Sequence, residues 1–122
     1  MHGRKVGLDG ADMTMRVAEP DTVAGFFAAM PAFGDRDMVV FPDVRRTFAQ
    51  VHGAATQWAR LLLAMGIQRG DKVGLLMPTS PEFVDILLAA NAIGAVLVPL
   101  NTRFQPAELA YTITNADVSV LV

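Results

Sequence analysis

Cysteine is absent from the 122 residues, which excludes disulfides, thiolate metal sites and thiol catalysis. Histidine is scarce, with only His2 and His52, so the usual ligand types do not cluster at metal-binding spacing. Neither sign of charge dominates. Ten basic against twelve acidic residues give a net charge of −2, which offers no reason to expect nucleic acid or an anionic membrane as a partner. A long apolar run is missing too: the longest stretch, Ile86 to Leu100, is interrupted by Asn91, Gly94 and Pro99 and falls short of the roughly 20 residues that span a bilayer. The opening MHGRKVGLDGADMTMRVAEP lacks the uninterrupted apolar core of a secretory signal. These absences make a soluble, cytoplasmic protein the default expectation.

Apolar residues are abundant. A hydrophobic content of 52% with 18% charged residues describes a chain that folds and buries much of itself. Its length suits one domain, or a piece of one. Residues Met1 to Glu19 show neither helical nor strand period and read as a mobile leader, giving a division into residues 1–20 and 21–122.

From Asp21 the pattern changes. Val23, Phe26, Phe27 and Met30 recur at helical spacing behind Asp21 as a cap, and Pro31 is the expected stop. MVVFPDVRRTF then reads as a small β-hairpin turning at Pro42-Asp43. Thr47 and Gln50 form a capping box for the best-marked helix, whose Phe48, Val51, Ala55, Trp58 and Leu62 repeat at steps of three and four up to Gly66. His52 lies on the margin of that stripe and reads as structural. Lys72 to Met77, Ala95 to Leu100 and Val118 to Val122 have the length and apolar content of buried strands. Between them, Ser80-Pro81 opens a helix with Phe83, Ile86, Leu87, Ala90 and Ile93 on one face, and Pro106 opens another with Leu109, Thr112, Ile113 and Ala116. Apolar strands alternating with amphipathic helices predict an α/β fold, a parallel sheet with flanking helices (βαβαβ) preceded by a helix and a hairpin.

Chemistry is harder to find in the residues. Arg69-Gly70-Asp71-Lys72 lacks the spacing of a phosphate loop, and no dinucleotide glycine fingerprint follows any strand. Thr79-Ser80-Pro81 presents a helix start that could hold an anion, although capping accounts for those residues fully. Glu82 and Asp85, three apart, read as a solvated helix face. No nucleophile and base pair stands out.

Several motifs in order nevertheless carry a resemblance. They are Thr47-Phe48-Ala49-Gln50-Val51, Gly66-Ile67 through Gly70-Asp71-Lys72-Val73, Pro78-Thr79-Ser80-Pro81-Glu82-Phe83, Gly94-Ala95-Val96 through Val98-Pro99-Leu100-Asn101, and Pro106-Ala107-Glu108-Leu109. From about Thr22 to Val122 the chain resembles the start of an adenylate-forming enzyme, most closely an acyl-CoA synthetase of the AMP-dependent synthetase/ligase superfamily. Pro42-Asp43-Val44 departs from that family's frequent Gly-Asp turn, and Gln105 stands where a Thr cap is usual.

The resemblance implies a parent enzyme that uses ATP with Mg to convert a carboxylic acid to an acyl-adenylate, then transfers the acyl group to the thiol of coenzyme A (CoA). It also implies that the phosphate loop, the adenine and ribose contacts and the catalytic Lys come later than Val122. Residues 21–122 would then be a partial N-terminal domain, inactive alone, with no catalytic residue of its own. The loop Asn101, Thr102 and Arg103 corresponds to one near the CoA entry, so these three are the candidate cofactor-binding residues. The alternative for them is a strand end followed by a solvated or structurally paired Arg103. Two other readings stay open for the whole chain: an adenylating domain that loads a carrier protein, and a non-catalytic α/β module that self-associates through VSVLV.

Overall fold

Local capping sets the first element. The computed structural model describes residues 22–122, so the expected leader and the Asp21 cap lie outside the described residues. The cap is Thr22, whose hydroxyl accepts from the Gly25 N–H at 3.0 Å and starts α1, Val23–Ala29. Pro31 does not end the chain's helical course outright. It sits early in a 3₁₀ turn, Met30–Phe33, where its missing N–H would have had no helical partner.

The hairpin forms as expected, with β1 (Asp37–Phe41) antiparallel to β2 (Val44–Thr47) around Pro42-Asp43. Val39 pairs with Arg46, Val40 with Arg45 and Phe41 with Val44, and the ladder is irregular between Asp37 and Val39. Thr47 then caps α2, Phe48–Ala64, through the reciprocal capping box with Gln50. The Phe48 and Ala49 N–H groups donate to the Arg36 and Gly34 carbonyls, so the start of α2 is closed off by the preceding turn. Helix α2 ends at Gly66, whose φ of +89° is a conformation that a side chain would strain.

Three parallel strands form the second sheet in the order β4-β3-β5: β3 is Lys72–Leu75, β4 Val96–Pro99 and β5 Val120–Leu121. Helix α3 (Pro81–Ala92) joins β3 to β4, and α4 (Pro106–Asn115) joins β4 to β5. One core gathers Ala59, Leu62, Ile67, Val73, Ala89 and Ala90 between α2, α3 and the sheet. A second gathers Met30, Val39, Val51, Ala55 and Leu88 beneath the hairpin. Both use α2 and α3, which bind the two sheets into one body. On the other face of β3, Gly74 allows a close approach: a Cβ there would lie 3.0 Å from Val118 Cγ1.

Two expectations need correction. Only β3 is largely buried, at Val73, Gly74 and Leu75, whereas Val96 and Leu121 are 46% and 49% exposed, because a three-stranded sheet has a single central strand. The buried face of α3 is also wider than the stripe read from sequence. Leu88 and Ala89 are buried as well, since α3 packs against α1, α2 and β4 at once. In α4, by contrast, Leu109, Thr112, Ile113 and Ala116 form the half-buried side as expected.

Candidate functional site

The strand order supplies the first clue. The chain steps from β3 to β4 on one side and returns past β3 to β5 on the other, the arrangement in which open α/β sheets leave a ligand crevice beyond the carboxyl ends. Two loops of this segment stand at that end, Leu76 to Ser80 after β3 and Leu100 to Gln105 after β4. The Leu76 N–H donates to the Val122 carbonyl, which ties the first loop to the end of the β5 segment, and the Leu100 N–H donates to the Leu75 carbonyl.

Asn101, Thr102 and Arg103 occupy the second loop, and all three are exposed. The Asn101 side-chain Oδ1 accepts from the Arg103 N–H at 2.9 Å and its carbonyl accepts from Phe104, so the residue folds the loop on itself. Buried Leu100 anchors the loop at its base. The three candidates share one turn.

The start of α3 is a poor anion site, for reasons visible atom by atom. Pro81 has no N–H, and the Phe83 N–H is taken by Ser80 Oγ at 3.3 Å. Glu82 places a negative charge in the same turn. The Ser80 hydroxyl itself donates to Met77 Sδ. The capping account of Thr79-Ser80-Pro81 therefore suffices. Arg69-Gly70-Asp71-Lys72 is likewise a turn: Asp71 Oδ2 accepts from the Gln68 N–H, and the Gly70 N–H donates to the Gly94 carbonyl. A groove of about 540 Å³ lies at the amino end of β4 between Thr22, Arg69 and Asn91 to Ala95, away from the carboxyl ends. His52 stacks on Phe27 with ring centroids 4.3 Å apart, the structural role read from sequence.

Asp85 is the residue that sequence reasoning misplaced. It is 3% exposed and not on a solvated face, and its Oδ2 accepts from Arg46 Nη1 at 2.9 Å. Oδ1 is buried without a hydrogen-bond donor. Burial raises the Asp85 pKa above the ordinary carboxylate value, against the hydrogen bond and charge of Arg46, while Glu82 adds to the rise. A clue was available, because Asp85 lies one turn before Leu88 and Ala89 on an apolar helix, and an acid there demands a cation.

Among the described residues no group of three His, Asp or Glu side chains gathers.

Comparison with known proteins decides the family. The model of the AMP-binding enzyme family matches residues 26–122. The chain belongs to that family. It is 41% identical over 80 residues to the long-chain-fatty-acid-CoA ligase FadD13 of Mycobacterium tuberculosis, an alignment covering 66% of this chain and 16% of that protein. To the acyl-CoA ligase sidI of Aspergillus fumigatus it is 37% identical over 91 residues, 73% of this chain and 15% of the relative. The N-terminal domain of FACL13 from Mycobacterium tuberculosis superposes with a TM-score of 0.77 at 35% identity, over 82% of this chain and 26% of that one. The NpsA N-terminal subdomain of Klebsiella oxytoca, solved with anthranilyl-AMSN, gives 0.76 at 26% identity, over 82% and 26%. The chain thus spans about 15% to 17% of the length of the curated relatives it matches.

Proposed function

We propose that this chain is the N-terminal part of an ATP-dependent acyl-CoA ligase acting on a fatty or related carboxylic acid in the cytoplasm. The observation that carries the reading is the family match over residues 26–122, joined to likeness with an N-terminal domain at 35% identity. In the proposed reaction a carboxylate attacks the α-phosphate of ATP, releasing pyrophosphate, and the thiol of CoA then displaces AMP to form the thioester. Activation is required because a free carboxylate is a poor acyl donor. This segment contributes scaffold: it sets the carboxyl ends of β3 and β4 against which the remainder of a ligase would build its site.

Within that scaffold, Arg103 is the residue proposed to meet a phosphate of CoA. Support comes from its exposure and from the turn closed by Asn101 at the strand's carboxyl end. In a full-length ligase carrying this segment, R103A is expected to raise KM for CoA and leave adenylate formation, read as pyrophosphate release, unchanged. An unaltered KM would remove Arg103 from the site and leave the ligase reading standing.

The 122-residue chain alone is expected to make no thioester from ATP, a fatty acid and CoA. Measurable product would overturn the assignment of catalysis to later segments. Likeness to a fused adenylation and carrier-protein di-domain from Klebsiella oxytoca, TM-score 0.77, keeps a carrier protein as the second acceptor. Its identity is 26%, against 35% for a fatty acyl CoA synthetase superposed over the same share of the chain, which favours CoA. Competition between CoA and a phosphopantetheinylated carrier in the full-length enzyme separates the two.

A further inference from the structure

Arg45 and Arg46 are neighbours in β2, so they point to opposite sides of the hairpin. Arg45 turns outward and pairs with Asp37 at 2.9 Å, while Arg46, 18% exposed, turns inward to Asp85, 39 residues away in sequence. Apolar patterning does little to choose between these orientations. Strand β2 reads Val-Arg-Arg-Thr with no buried residue, and Met38, Val39, Val40 and Phe41 make β1 apolar at four successive positions. The irregularity between Asp37 and Val39 shows that the ladder accommodates an offset.

A one-residue slip of β2 would place Arg45 opposite Phe41 and Arg46 opposite Val40, lengthening the two-residue turn to three, another common hairpin form. Such a slip exchanges the faces of the strand. Arg45 would then point inward and Arg46 outward, so each face would still carry an arginine. The Phe48 and Ala49 N–H groups tie the end of β2 to Arg36 and Gly34 in the backbone, and among the described side chains the contact that reads the two arginines from outside the hairpin is the carboxylate of Asp85 on α3.

We propose that the buried Arg46–Asp85 pair selects the register of the β1–β2 hairpin: Asp85 offers one inward place for an arginine, and its occupation by Arg46 leaves Arg45 for Asp37. Fixing a register is the best-attested role of buried ionic groups. The unpartnered Asp85 Oδ1 agrees with a pair whose value is specificity, because a contact built for stability would satisfy both oxygens.

The test uses the 122-residue chain, isotope-labelled, with cross-strand nuclear Overhauser contacts as the readout. The wild-type chain is expected to show the Val40–Arg45 and Phe41–Val44 contacts alone. D85N, isosteric and uncharged, is expected to stay folded and to double the resonances from Asp37 to Thr47, the second set carrying Phe41–Arg45 contacts. A single native set in D85N overturns the proposal. Loss of the whole tertiary spectrum also overturns it, because the pair would then hold the fold together and not choose a register. R46M is expected to shift the pairing so that Arg45 takes the inward place, and retention of native pairing there counts against the proposal equally. R45M is the control, with native pairing expected.

Discussion

Asp85 and its cation determine more at the residue scale than any other pair among the described residues. Removing both arginines, R45A/R46A, leaves the carboxylate buried with no cation on the hairpin and is expected to cost about 3–5 kcal/mol in urea unfolding. R45A alone breaks only an exposed pair, with side chains 71% and 46% accessible, and is expected to stay within about 1 kcal/mol of wild type. Acid should act on Asp85 with a sign opposite to that of most carboxylates. Burial raises its pKa in the folded state, so the folded protein binds the proton more tightly than the unfolded chain does. The penalty on the charged form is present above the folded value and is relieved as pH falls through it. Urea midpoints from neutral to mildly acidic pH should therefore show wild type gaining stability relative to D85N. A difference independent of pH would contradict the raised value.

At the scale of elements, the helix starts differ in a way that substitution can read. Thr47 closes a complete capping box on α2, and T47A is expected to lose about 1 kcal/mol. Gln105 caps α4 with no side-chain hydrogen bond although its backbone is already extended at φ −72° and ψ 160°. Q105S is expected to gain about 0.5–1 kcal/mol, with slower amide exchange confined to the first turn of α4. No change in exchange would mean that the introduced hydroxyl leaves those N–H groups to water. The capping residues of α2 and α3 were legible in sequence because a cap is a contact within four residues. The wider buried face of α3 was not, since it depends on three neighbours converging from distant parts of the chain.

For the whole molecule, the sheet formed by the described residues leaves both outer strands unpaired on one edge. Val96 on β4 and Leu121 on β5 are about half exposed, and unpaired strand edges invite pairing. The 122-residue chain is accordingly expected to associate with itself, raising its scattering mass with concentration, and V96K/L121K is expected to reduce that association. A monomer at all concentrations would show that these edges need no cover. The same open edges fit a chain that spans 26% of the N-terminal domain it superposes on.

Sequence by itself determined the order of helices and strands, the capping box at Thr47, the Ser80-Pro81 helix start and the family, because each is written in local periodicity or in motifs along the chain. It also marked Asn101, Thr102 and Arg103 as a loop after a strand, and the structure sets that loop at the carboxyl end of β4. Tertiary structure alone decided that β3 is the central strand, that β4 and β5 lie on opposite sides of it, and that Asp85 is buried against Arg46. Those facts rest on contacts between residues tens of positions apart, and the burial of a charge is set by what packs over it, which no local pattern records.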